Sequence, residues 1–242
     1  VSLVTTGPGE EVYLWWGHTA FLVENRQSGR ADFYDFGVFS FETENFFLNF
    51  LFGRLWYMAY RSPAQRSLER TKQQDRMIRI QELRFPPGKK IELIRELEYQ
   101  VRPQNREYLY DYYRDNCATR IRDILDQAYD GALYRASSVD DALTIRLQTR
   151  RFTGRNPLVE WVLMFLMSGN IDRPASGWEA MFLPSEIPRY LEDISIASGT
   201  AEERPAVVND YIYHQGKIPA VVPERPGKGL LWPAATGILL GL

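Results

Sequence analysis

Cysteine and histidine are nearly missing from this chain of 242 residues, which has one of the former, Cys117, and two of the latter, His18 and His214. A lone thiol excludes an internal disulfide framework. So few soft ligands exclude a zinc centre at the usual Cys/His spacing, and no metal or cofactor is expected. Charge of one sign is also lacking: Lys+Arg 29 against Asp+Glu 31 gives a net charge of -2. There is therefore no basic field to gather DNA or RNA, and a nucleic-acid partner is not expected. No apolar run reaches the roughly 20 residues that a membrane-spanning helix needs. A charged-then-apolar leader is missing as well, so a chain starting at Val1 reads as a processed mature protein or an excised segment.

What is present is a substantial core-forming complement, with 45% hydrophobic and 14% aromatic residues. It suits one large domain or two small ones. Residues 229–242 read GLLWPAATGILLGL, uncharged, with Arg225 and Lys228 just before them. This is expected to be the start of a transmembrane helix near Gly229, cut off by the segment boundary, with a hydrophobic tail folded back onto the domain as the alternative. The division that follows is a globular domain over residues 1–196 and a juxtamembrane tail over 197–242.

The rest of the chain is organised around residues 115–131, DNCATRIRDILDQAYDG. Ile121, Ile124, Leu125 and Ala128 have the spacing of an amphipathic helix, with Asn116 as N-cap and Gly131 as stop. Cys117 then sits in the first turn, four residues before Ile121 and on the inward stripe. Arg120, Arg122, Asp123 and Asp126 take the outer one. Helix N-termini are where reactive thiolates are found, although a buried cysteine can equally be a small apolar filler.

Residues 1–10 read as a loop around Gly7-Pro8-Gly9. Residues 12–23 read as a strand covered on both faces, and residues 31–39 as its hairpin partner across a turn at 25–29. Residues 44–53 suggest a phenylalanine-rich helix and 55–61 a strand. A helix over 67–76, a strand over 77–83 and a helix over 92–101 follow, and then an aromatic lead-in, Tyr108 to Tyr113. Helices are expected over 139–149, 157–168 and 184–191, the second as buried core at Leu158 to Met167, with a strand at 207–213. The fold class is α+β.

A nucleophilic cysteine needs a histidine within hydrogen-bond reach and a third group to orient it. His18, flanked by Gly17 on the first long strand, is favoured over His214. Asp35, on the neighbouring strand, is the expected orienter, with Asp32 second. The backbone N–H of Cys117 and the Asn116 side chain would be oxyanion donors. Asp115, whose charge would oppose a thiolate, is expected to turn toward Arg114 or Arg120. A cysteine on a helix tip facing a histidine on an antiparallel sheet resembles the papain-like architecture. Here the histidine precedes the cysteine, as in circularly permuted NlpC/P60-type and lecithin:retinol acyltransferase-like proteins, and the fold carries a helical C-terminal extension.

Residues 16–20 (WGHTA), 34–39 (YDFGVF), Asn45-Phe46 with 50–53 (FLFG), 105–124 with its DNCATRIRDI block, and 181–184 (MFLP) resemble the Lnb-type periplasmic domain family. The resemblance covers about Gly17 to Pro184. It implies a permuted papain-like domain in the bacterial periplasm, held at the inner membrane. It also implies transfer of a fatty acyl chain from a phospholipid to the α-amino group of a lipoprotein, with Cys117 as nucleophile and His18 as base. Phe46 and Phe50, with Trp16, Tyr34 and Arg120, are the residues expected to meet substrate. Plain core packing is the alternative for the phenylalanines, and an ion pair for Arg120. A basic run, Arg61, Arg66, Arg70, Lys72, Arg76 and Arg79, would meet phospholipid headgroups or form a solvated face. Two other functions fit the same residues: a cysteine amidase or peptidase of the cell-wall NlpC/P60 type, and a non-catalytic envelope module.

Overall fold

The structure, a computed structural model, describes residues 1–39, 55–167, 169–197 and 203–218. In chain order, its first half contains β1 (Ser2–Thr6), β2 (His18–Asn25), β3 (Arg30–Val38), β4 (Leu55–Pro63), α1 (Ala64–Gln73), β5 (Ile78–Leu83), α2 (Lys89–Gln100), β6 (Glu107–Tyr110) and α3 (Cys117–Ala128). Its second half contains α4 (Ala132–Ser137), β7 (Asp140–Thr144), α5 (Ile145–Thr153), α6 (Pro157–Leu166), β8 (Pro174–Ser176), α7 (Gly177–Ala180), α8 (Ile187–Glu192), β9 (Ser195–Ala197), β10 (Glu203–Pro205) and β11 (Val207–His214).

Seven strands form one sheet in the order β11-β5-β1-β2-β3-β4-β6, every neighbouring pair antiparallel. Its central strands are apolar on both faces because both are covered. Leu3, Phe21, Tyr34 and Phe36 pack with Leu93 and Leu97 of α2 and Ile121, Ile124 and Leu125 of α3. Val4, Ala20, Leu22, Phe33, Ile78 and Ile80 pack on the opposite face with Ala64 and Leu68 of α1. Strand alternation assigns Phe21 to one face and Ala20 and Leu22 to the other. Burial of each large side chain contributes on the order of 1.5–3 kcal/mol. A third cluster, Ile145, Phe152, Ala175, Phe182 and Leu183, joins α5 to β8 and to the segment that follows α7.

Several expectations are corrected. Residues 1–10 are not all loop: Ser2–Thr6 is a wholly buried strand between β2 and β5. The strand expected over 12–23 starts only at His18. Residues 12–14 form a 3-10 turn, and Gly17 at φ +77 turns the chain into β2 with its Cα facing the Thr6 carbonyl, where an added Cβ would lie 2.6 Å from that oxygen. The helix expected over 139–149 is a strand, β7, followed by α5, whose N-cap Thr144 accepts from the Leu147 N–H. The stretch 158–167 is not core throughout, since Leu158 and Phe165 of α6 are 69% and 77% exposed. Arg122 is buried, not on an outer face: its guanidinium lies over the Trp178 ring and donates to the Trp178 carbonyl. The sheet also continues past residue 196, because β11 pairs with β5. The apolar 229–242 stretch and the 44–53 helix lie outside the described residues. Among the described residues no helix is long and apolar enough to cross a membrane.

Candidate active site

The helix carrying the thiol is fixed at its tip. Asn116 Oδ1 accepts from the N–H groups of Ala118 and Thr119, and the Thr119 hydroxyl accepts from the Asn116 N–H, closing a capping box. The Asn116 amide then donates to the carbonyls of Tyr112 at 2.8 Å and Phe182 at 2.9 Å. Both amide hydrogens are thereby spent, so the oxyanion-donor role expected of Asn116 is not available to it. Asn116 instead ties the helix start to the 181–184 motif. The cap claims the donors of Ala118 and Thr119 and leaves the Cys117 N–H as the first-turn donor that the cap does not bond.

Cys117 is buried and free. The negative charge of a Cys117 thiolate and its side-chain interaction with the ring both favour the His18 imidazolium, which puts the thiol near the imidazole. On the other side of the ring, His18 Nε2 donates to Asp35 Oδ1 at 2.8 Å, which leaves Nδ1 as the nitrogen for sulfur. The β2–β3 register makes this pairing possible: Ala20 lies opposite Asp35, one pleat in from the strand end that begins at His18. The same Asp35 oxygen accepts the Gly37 N–H at 2.6 Å, so the carboxylate is held by its own strand while it orients the ring. Access is retained, with 21% of the His18 side chain and 24% of the Asp35 side chain exposed.

Burial alone would remove the His18 proton. The Asp35 and Cys117 charges, each acting also through a hydrogen bond, outweigh it and push the His18 pKa up from 6.5 to about 10. Burial likewise favours neutral Asp35, but the imidazolium, the Gly37 N–H and the Arg70 charge hold its carboxyl below the ordinary 3.8. The favoured state of the pair near neutrality is therefore a protonated imidazole on an ionised Asp35.

Sequence reasoning missed three features of the site. Gly37 is one: a Cβ there would sit 2.6 Å from His18 Cε1, so only glycine leaves room for the ring. An aromatic wall is the second. Tyr57 stacks on Tyr110 at 4.0 Å, Phe39 lies 5.0 Å from Tyr57, and Tyr112 meets Tyr110 edge-on. The hydroxyls of Tyr57, Tyr108 and Tyr110 are pushed up, first by burial, with the Cys117 charge among the further causes, so this wall lies within electrostatic reach of the thiol. The run of tyrosines at 108–113 was its sequence signal. The third is Arg76, assigned from sequence to a surface run but buried here. That run forms no single patch: Arg61 pairs with Glu98 and Arg79 with Asp210 and Glu192.

The other predicted residues disperse. Asp115 turns to Arg120, in a bidentate pair at 2.6 and 2.9 Å, as its chemistry required. Arg120 is also stacked over Tyr108 at 3.6 Å, so its guanidinium is committed to structure and not free for substrate. The Tyr34 hydroxyl is engaged by Glu98, to which it donates at 2.6 Å. There it lines a cleft of about 740 Å³ near the far end of β2, together with Arg61 and Asn25. Trp16 packs against the third core cluster. Asp32, the second choice as orienter, pairs with Arg30. Phe46 and Phe50 lie outside the described residues. Among those described, no cluster of His, Cys, Asp and Glu could hold a metal ion.

Residues 1–151 match the family described as the Lnb N-terminal periplasmic domain. The chain belongs to that family. No curated protein and no solved structure matches it. The matched segment ends within α5, so it contains the sheet strands β1–β6, α3 and the whole Cys117–His18–Asp35 constellation. Membership makes this a periplasmic domain of an Lnb-type protein.

Proposed function

We propose that the domain is a thiol acyltransferase of permuted papain-like architecture. It moves a fatty acyl chain from a phospholipid, through a Cys117 thioester, to the α-amino group of a bacterial lipoprotein. The observation that carries this reading is the His18 Nε2–Asp35 Oδ1 bond at 2.8 Å together with a buried thiol, Cys117, at a helix tip near enough to act on the same ring. Family membership supports the periplasmic setting. The aromatic wall within electrostatic reach of the thiol and the exposed apolar side chains of α6 support a lipid substrate over a cell-wall peptide. The uncharged 229–242 stretch would begin the inner-membrane anchor.

The chemistry runs in two halves. With the proton on His18, the Cys117 thiolate attacks the ester carbonyl carbon, a C–S bond forms, and the carbonyl π pair moves onto oxygen, which the Cys117 N–H is placed to receive. One such donor contributes about 3 kcal/mol to the transition state. Collapse breaks the C–O bond to glycerol, and the imidazolium gives its proton to the departing oxygen, releasing lysophospholipid. In the second half the acceptor amine attacks the thioester and His18 takes the amine proton. The C–S bond then breaks, leaving an amide and the original thiolate. Asp35 holds the ring through both halves without itself being protonated.

An acyl-transfer assay with a diacyl phospholipid donor and a peptide bearing a lipidated N-terminal cysteine tests the reading. Cys117→Ser and His18→Ala should each abolish transfer and leave the circular dichroism spectrum near that of the wild type. Transfer that persists in Cys117→Ser would overturn it, and cleavage of cell-wall peptides without acyl transfer would establish the amidase reading.

A further inference from the structure

Arg76 follows α1 and is 4% exposed. Its guanidinium donates to three neutral acceptors: the Gly7 carbonyl at 2.9 Å, the Thr6 hydroxyl at 2.9 Å and the Gln74 side-chain oxygen at 3.4 Å. No carboxylate among the described residues lies within ion-pair distance of it, so its charge is not cancelled locally. Thr6 pairs with His18 across β1 and β2, and its hydroxyl donates to the His18 carbonyl at 3.4 Å. A hydrogen-bonded path thus runs from Arg76 to the residue that starts β2 and carries the imidazole.

A buried, uncancelled cation is expensive unless something nearby gains from it. The groups whose negative forms favour the charged Arg76 are Cys117 and Asp35, the nucleophile and orienter of the proposed centre, and then Tyr13. Burial lowers its pKa to about 10 against these attractions, and the guanidinium remains charged at neutral pH. Away from solvent such fields are weakly screened.

We propose that Arg76 is the electrostatic positioning residue of the thiol centre: its charge stabilises the anionic Cys117 and Asp35 together, and its hydrogen bond to Thr6 fixes the start of β2 beneath His18. This rests on the reading of Cys117 as nucleophile. Other groups also face the anions. His18, Tyr57, Tyr108 and Tyr110 act with Cys117, and His18 and Arg70 with Asp35. A change at Arg76 leaves all of these in place.

The test is the pH profile of Cys117 alkylation by iodoacetamide in the full chain, which needs no acyl substrate. Arg76→Gln should slow alkylation at neutral pH several-fold and move the profile to higher pH, where one unit corresponds to a tenfold rate. Arg76→Lys, which keeps the charge and loses the planar fork, should restore most of the wild-type profile. An unmoved profile in a folded Arg76→Gln chain would overturn the proposal, and so would equal losses in the Gln and Lys variants, the signature of a purely structural residue. A second measurement covers the case in which neither variant folds. In the wild-type chain the Arg76 Nε–H resonance should shift as the thiol titrates and stay still in Cys117→Ser, and a resonance that ignores the thiol refutes the coupling. A wild-type thiol that never alkylates in the folded chain would instead refute the nucleophile reading itself.

Discussion

Replacing Gly37 with alanine adds one methyl group at the place where the site has no space for it. The new Cβ would lie 2.6 Å from His18 Cε1, 3.3 Å from Nδ1 and 3.4 Å from Asp35 Oδ1. Ordinary contact begins at 3.4 Å, so the ring must retreat by 3.4 minus 2.6, about 0.8 Å. It can do so only by lengthening its bond to Asp35 or by leaving the sulfur. A displacement of about 1 Å in a reacting group costs on the order of a hundredfold in rate. Overpacking of this kind costs about 1–3 kcal/mol of stability, offset in part by the stiffer unfolded chain that alanine gives. Gly37→Ala should therefore keep its fold and melt within several degrees of the wild type, while acyl transfer and Cys117 alkylation at neutral pH fall by roughly two orders of magnitude. A Gly37→Ala protein with the wild-type rate would refute the geometric argument, and loss of rate only in proportion to unfolded protein would assign the glycine to folding alone.

Asp35→Asn keeps the shape of the orienter but removes its charge. A hydrogen bond to a charged group is worth roughly 1.5–3 kcal/mol, so transfer should fall by roughly 10- to 150-fold without vanishing, as measured by kcat/KM. Because the leaving glycerol oxygen needs the imidazolium, the wild-type rate should decline as pH rises through about 10, where His18 loses its proton, and Asp35→Asn should move that limb to lower pH. The same shift links to stability with a definite sign. His18 is held above its ordinary value of 6.5, so its contribution is full below that value and is lost as pH rises toward about 10, a trend visible in denaturant midpoints across this window. Asn116→Ala removes the cap and should destabilise the protein by about 1–2 kcal/mol in chemical denaturation, with a catalytic loss that follows helix fraying and not the loss of an oxyanion donor.

Much of the site was legible because its signals are local. Asn116, the Ile121–Ile124–Leu125–Ala128 stripe and Gly131 specify a helix and both its ends within a few turns, and the hairpin that brings Asp35 beside His18 follows from two apolar runs around a turn. β1 was hidden because five residues beside a Gly-Pro-Gly segment give too short a pattern, although burial on both sides makes it central to the sheet. Gly17 interrupted what looked like one strand, since a positive φ leaves no trace in hydrophobic periodicity. Arg76, Gly37 and the tyrosine wall act across strand pairings between distant residues, and Arg76 in sequence resembles its surface neighbours. The N-cap role of Asn116 is legible in the sequence, while the carbonyls of Tyr112 and Phe182 that take its amide hydrogens, and so remove the donor role, are not.

The most direct test of the account is intact-mass analysis of the full chain after incubation with a diacyl phospholipid and no amine acceptor. The account predicts one added acyl group on Cys117, removed by hydroxylamine and transferred when a lipidated N-terminal peptide is supplied. A folded, alkylatable Cys117 that never gains that mass, or an adduct formed equally well in His18→Ala, would contradict it.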